Sequence, residues 1–345
     1  MVGHEGAPQS VLVTGGAGYI GSVLVPRMLA EGHRVTVLDA LIFGSGPLRA
    51  VVGNERFRLV QGDIRDVGGV DRCLGMDRFD AVVHLAAISN DPSSELDPML
   101  TRQVNLSGVE NLMAASRRHG VRRFIYASSA SVYGVKDVPE VTEEMSLGPL
   151  TLYAECKAQG EQVLWGLLDD AFCGVAVRSA TVCGYSPRLR LDLTINILSC
   201  HALTSGSIRV FGGDQLRPNV HIADLADFYV SLLTIERDKI QGKAFNVSTR
   251  NATVAELAEL VRREINPGIS ITVVPTDDKR SYHLSATRAA RELGFVPSRP
   301  LELAPRELRS AFSDGRVRNP MDAIYRNVEW MKARAPLSST SSPAS

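Results

Sequence analysis

The sequence predicts an α/β fold, a doubly wound parallel sheet followed by a smaller C-terminal lobe. Three observations predict it. Short, apolar, β-branched runs alternate with helix-length segments through the first half of the chain. Glycines stand at 15, 18 and 21, between the first such run and a helical pattern. The second run, Val35-Thr36-Val37-Leu38, stops on Asp39.

The runs in order are SVLVTG, RVTVLDA, FRLVQGD, DAVVHLAA, RFIYASS and GVAVRSA. They are apolar throughout rather than alternating, as strands covered by helices on both faces must be. After about residue 180 the pattern loosens. INILSCHALTSG reads as a helix, and SIRVFGGDQLRPNVHIADLADFYVSLLTI as strand, loop, strand, helix. KAFNVSTRNATVAELAELVRREI repeats that order, with Thr253 as the cap of its helix, and ISITVVPT is a further strand. The expected organisation is a disordered 1–9, a sheet domain over 10–180, a smaller lobe over 181–332 that returns elements to the sheet, and a disordered Ser/Pro-rich 333–345.

Composition narrows the function classes. The formal net charge is zero over 345 residues, so nothing favours nucleic acid or an anionic membrane. No apolar run approaches the roughly 20 residues of a membrane span. The five scattered cysteines lack ligand spacing, which suits reduced thiols and predicts no metal. The N-terminus lacks signal-peptide character, so the expected compartment is cytoplasmic.

The glycines have distinct tasks. Gly15 permits a sharp turn out of the first strand, Gly18 leaves room for a pyrophosphate, and Gly21 lets the next helix approach the sheet. That helix then offers free N–H groups and a partial positive charge to phosphates. Asp39, 21 residues beyond Gly18, can accept from both adenosine ribose hydroxyls and would repel a 2′-phosphate. The pattern therefore reads as a Rossmann-type dinucleotide site for NAD rather than NADP. Tyr153 and Lys157 are four residues apart and share a helical face. A nearby ammonium favours phenolate, which makes Tyr153 a usable base near neutral pH. Ser129 can hydrogen-bond a reacting oxygen.

The spacing GxxGxxG, with GDIRD, HLAA, SSASVYG and YAECK following in order, resembles the extended branch of the short-chain dehydrogenase/reductase superfamily. More narrowly, it is similar to the NAD-dependent nucleotide-sugar epimerase/dehydratase family. The resemblance implies that Gly15, Gly18, Tyr19, Ile20, Gly21, Asp39, Asp63, Ile64, Leu85, Ala86, Ala87 and Asn105 hold NAD, with Tyr153 and Lys157. It implies catalysis by Ser129, Tyr153 and Lys157, and substrate contacts from Ser89, Ser129, Ser131, Thr181, Asn196, Arg217 and Arg280. The substrate it implies is a nucleotide-diphosphate sugar. It also implies a homodimer; Val104, Val109, Leu112 and Met113 form an apolar stripe expected at the seam, with packing against the chain's own sheet as the alternative.

Members that dehydrate carry an Asp-Glu pair directly after the catalytic Ser/Thr; here Ala130 and Ser131 stand there. The expectation is therefore an epimerase, at C4 of the sugar. A dehydratase, a reductase or a decarboxylase of the same fold is the alternative, and an NAD-binding regulatory or scaffold protein is the non-enzyme alternative. His84 and His221 are expected to be structural, and Asp224 and Asp227 to cap or decorate a helix. Arg188 and Arg190 are unusual additions, expected to face solvent, with an extra acidic group as the alternative. Glu155 is expected to be solvated.

Overall fold

The computed structural model describes residues 7–136, 138, 140–276 and 283–334. Twelve strands occur among them: β1 (Ser10–Thr14), β2 (Arg34–Asp39), β3 (Phe57–Gln61), β4 (Ala81–His84), β5 (Arg123–Ser129), β6 (Cys173–Ser179), β7 (Thr181–Cys183), β8 (Ser207–Phe211), β9 (Leu216–His221), β10 (Lys243–Val247), β11 (Arg250–Thr253) and β12 (Ser270–Val274). Seven build one sheet in the order β10-β6-β5-β4-β1-β2-β3, and every pairing in it is parallel. The chain reverses direction across the sheet between β1 and β4. In such sheets ligands bind beyond the carboxyl ends of the strands at that point.

Side chains alternate across the sheet. Val11, Val13, Val35 and Val37 meet the helices Gly21–Ala30 and Ile222–Thr234 on one face. Leu12, Leu38, Val82 and Phe124 meet the helices Val67–Leu74, Gly108–Arg118 and Leu152–Leu167 on the other. Val109, Leu112 and Met113 belong to this second core and are buried within the single chain, and Val104 packs beside them. The apolar stripe expected at a dimer seam thus covers the chain's own sheet instead. A crossover helix must bury its apolar face against the strands it connects.

The C-terminal lobe has its own core, where the helix Thr194–Ser205 packs against Val254–Ile265. Thr253 caps the latter in a reciprocal capping box with Glu256. β10 leaves this half of the chain to pair with β6. Gln9 is anchored to His33 and Leu233, so ordered contacts begin just before β1. The final helix runs Asn327–Ala333. The tail expected beyond it lies, from residue 335, outside the described residues. No helix among the described residues is long and apolar enough to cross a membrane.

A buried ion pair joins the sheet to the helix Leu152–Leu167. Arg178 on β6 grips Glu161 with two prongs, Nε to Oε1 at 2.9 Å and Nη2 to Oε2 at 2.6 Å. Ser128 on β5 donates to Oε1 at 2.5 Å. Arg178 Nη1 donates to the Tyr133 hydroxyl, which donates to Asn246 Oδ1 on β10, both at 2.8 Å. Three adjacent strands and one helix are tied through a single carboxylate that water does not reach. Arg178 is held more firmly protonated than usual. Burial opposes its charge, but the Glu161 hydrogen bonds outweigh it. Glu161→Ala should lower unfolding stability by roughly 3–5 kcal/mol, the usual cost of leaving one buried charge unpaired. Urea denaturation checks this, and a loss below about 1 kcal/mol would contradict it.

Candidate active site

The carboxyl ends of the strands open into a cavity of about 830 Å³. Gly15, at φ +74°, turns the chain out of β1, and a Cβ there would stand 2.6 Å from the Ala86 nitrogen. A Cβ on Gly21 would stand 2.5 Å from Gly16 Cα. Side chains at these positions would collide with backbone, so the loop and the first turn of the next helix can lie close to the sheet only with glycine. Asp39 closes the loop from the end of β2. Its carboxylate accepts from Ala17 N at 2.9 Å and Leu41 N at 2.7 Å. Burial raises its pKa, and these two amides work against that rise. One wall therefore offers backbone N–H groups to phosphates and a carboxylate to a ribose.

Asp63, Ile64, Leu85, Ala86 and Ala87 line the same cavity, as do Gly18, Tyr19 and Ile20. The Tyr19 hydroxyl itself turns inward and donates to Gly184 O at 2.7 Å. Asn105 is placed differently from a cofactor ligand. It is buried in a π-helical turn, Gln103–Ser107, and its amide clamps both polar backbone groups of Ile88, each at 2.8 Å. It thereby shapes the loop after β4 from behind.

Tyr153 and Lys157 project from one face of the helix Leu152–Leu167, and Thr151 caps that helix. Lys157 Nζ lies 5.8 Å from the Tyr153 ring centroid and donates to Ala127 O at 2.7 Å. Burial brings the pKa of Lys157 down to about 8, a shift that Cys156 and Glu161 oppose. Ser129 ends β5. Its Oγ accepts from Ser131 N at 3.2 Å and from Ser131 Oγ at 2.9 Å. With both lone pairs so used, its own hydrogen is free to donate into the cavity. Ser129, Ser131 and Tyr153 all line that cavity.

Ser89, Thr181 and Arg217 also line it. Asn196 does not stand with them. It is fully buried and its amide is spent on Gly184 N, the Tyr19 hydroxyl and Arg190 O, so it props the wall. Arg280 lies outside the described residues. Arg188 and Arg190, expected in solvent, are instead buried at 4% and 7% exposure in the cavity wall. Arg190 forks onto Asp192 at 2.9 and 3.0 Å and donates to Ser89 Oγ at 3.1 Å. Burial alone would raise the Asp192 pKa, but Arg190 holds it below the usual carboxylate range. Further wall residues come from segments the sequence reading left aside, namely Ile42 and Phe43 after β2, and Asn327 and Met331 in the last helix.

The histidines are structural. Burial pushes His84 down to about 3, so its ring is neutral; it bonds Thr14 at 2.6 Å and stacks on Tyr126. His221 caps the helix Ile222–Thr234. Asp224 and Asp227 both pair with Arg299. Glu155 pairs with Arg102 at the surface.

Residues 11–248 match the NAD dependent epimerase/dehydratase family. The chain belongs to that family. Among similar proteins is a UDP-glucose 4-epimerase of Lactobacillus helveticus, 31% identical, covering 83% of this chain and 92% of the relative. Another is a dTDP-glucose 4,6-dehydratase of Streptomyces griseus, 33% identical, covering 84% and 89%. A solved UDP-glucose 4-epimerase of Stenotrophomonas maltophila, with bound NAD and formylated UDP-arabinopyranose, superposes with a TM-score of 0.81 at 27% identity, covering 89% and 99%. The cofactor of this epimerase/dehydratase is accordingly NAD, and the glycine cradle and Asp39 fit it.

Asp39→Ala should weaken NAD binding roughly 10- to 100-fold, the worth of hydrogen bonds to a charged group. It should also narrow the preference over NADP. Equilibrium titration with both dinucleotides checks this, and an unchanged preference would sink the ribose assignment.

Proposed function

We propose that this family member is a nucleotide-sugar epimerase that inverts one sugar carbon, C4, by transient oxidation and re-reduction. The observation that carries this reading is the Ser129-Ala130-Ser131 turn at the cavity, which has a hydrogen-bonding serine but no acid–base pair. Bound NAD supplies a hydride acceptor and donor. Tyr153 takes the proton of the sugar hydroxyl as the hydride leaves, and gives it back on the return. Lys157, charged at neutral pH, favours the phenolate. Ser129 donates its free hydrogen to the oxygen that becomes carbonyl-like and holds it through the exchange. Arg217, Thr181 and Ser89 would meet the nucleotide diphosphate and the sugar, with Arg280 added from the neighbouring stretch. An arginine suits a diphosphate because its planar fork can bind two oxygens.

The 4,6-dehydratase reading draws on the Streptomyces griseus relative. Elimination needs a further acid and base near the sugar, which Ala130 and Ser131 do not provide. An NAD-binding regulatory protein has no need of the Ser129, Tyr153 and Lys157 set. The homodimer rests on the family resemblance, because the apolar stripe that was to form its seam is internal.

UDP-, dTDP-, GDP- and CDP-sugars, incubated with the protein in D₂O without added reductant and read by NMR and mass, separate these readings. The expected product is an epimer of unchanged carbon-bound mass, and loss of water would establish the dehydratase. Tyr153→Phe should reduce turnover by roughly 10²–10⁴, the contribution of a general acid–base group. Near-normal turnover would refute the assignment. Sedimentation equilibrium at micromolar protein should give a dimer, and a monomer would overturn that proposal.

A further inference from the structure

Among the described residues, three arginines are more than nine-tenths buried: Arg178, Arg188 and Arg190. Arg178 has Glu161 and Arg190 has Asp192. Arg188 forms no ion pair with any described carboxylate. Its Nη1 donates to Leu189 O at 2.8 Å and its Nη2 to Asn327 Oδ1 at 2.6 Å, both neutral acceptors. Burial and the neighbouring Arg190 both disfavour its charge, and Asp192, which Arg190 already holds, opposes them only in part. A buried guanidinium without an anion is costly, and a fold that keeps one normally supplies the anion from elsewhere.

The surroundings of Arg188 indicate which anion. Its backbone nitrogen faces Ser22 Oγ at 3.4 Å, in the first turn of the helix that follows the glycine loop. Ser186, two residues earlier, donates to Tyr19 O at 2.7 Å and fastens this segment to that loop. The guanidinium carbon lies over Phe43, 3.7 Å from the ring centroid, and Phe43 is four residues past Asp39. Phe43 stacks in turn on Trp330 of the last helix, whose indole donates to Ile42 O at 3.0 Å. Every one of these cofactor-side contacts belongs to the loop, the ribose end or the helix that covers them. Arg217, by contrast, sits on β9, whose neighbour β7 carries Thr181.

We propose that Arg188 is the counter-cation for the NAD pyrophosphate, presented from the C-terminal half of the chain and held in place by Phe43 and Asn327. The diphosphate would lie between the N–H groups of the glycine loop on one side and the Arg188 fork on the other. Phe43 covers the guanidinium and Asn327 holds Nη2, so little side-chain entropy remains to be lost on binding. The dinucleotide is thereby held by both halves of the molecule.

Calorimetric titration of the full chain, freed of endogenous dinucleotide, tests this with ADP-ribose, adenosine and UDP on the wild type, Arg188→Met and Arg188→Lys. Arg188→Met should weaken ADP-ribose roughly 10- to 100-fold, the range for hydrogen bonds to a charged group, and leave adenosine and UDP within about twofold. Arg188→Lys keeps the charge without the fork and should fall between. It also serves as the test if the methionine variant does not fold. Unchanged ADP-ribose affinity would overturn the proposal. So would an equal loss for adenosine, which means a merely structural role, or a loss confined to UDP, which means a substrate contact. Failure of the wild type to bind ADP-ribose would refute the dinucleotide site itself and is distinguishable from all of these.

Discussion

The Glu161 carboxylate, buried beneath the site and gripped by Arg178, is the constraint on which the rest of the arrangement depends. It sits one helical turn beyond Lys157, which is one turn beyond Tyr153, on the same face of one helix. Ser128 reaches that carboxylate from β5, and the next residue, Ser129, is the one that turns its hydroxyl to the cavity. The two parts of the proposed proton-transfer set therefore come from different elements but share one anchor. A bidentate arginine–carboxylate pair fixes direction as well as distance. Buried pairs of this kind are weak arguments for stability compared with an apolar core, but they set orientation. Here the orientation set is that of the reactive helix relative to the strand ends.

Much of the first half was legible in the sequence because its physics is local. A strand covered on both faces reads as a continuous apolar run, and all six runs of that kind became parallel strands of the sheet. The glycines and Asp39 were legible because a sharp turn, a close approach and a ribose each demand one residue type. The lysine beside Tyr153 followed from helical spacing. Glu161 obeys the same spacing, one more turn along, and could have been read by it. A lone glutamate, however, reads as solvated until Arg178 on another strand is known to face it.

What the sequence did not disclose depends on contacts between distant segments. The burial of Arg188 needs Phe43 and Asn327, which are separated from it by more than a hundred residues each. Asn196 was expected near the sugar because the family resemblance placed it among the substrate contacts. Its amide is instead used up within the wall. The stripe on the helix Gly108–Arg118 was apolar for the reason every crossover helix is, and no pattern within the helix tells an internal seam from an external one.

The last helix carries a consequence for the order in which the molecule becomes complete. Asn327 reaches back to Ser89, Asp192 and Arg188, and Trp330 to Ile42. On the ribosome the glycine loop and Asp39 emerge well before these residues, and domains generally fold from the N-terminal end during synthesis. β10, which borders β6, arrives only after residue 243, and the residues that close the wall arrive after 326. A nascent chain therefore presents half a nucleotide cradle until those later residues are made. The full enclosure forms only when the helix Asn327–Ala333 docks.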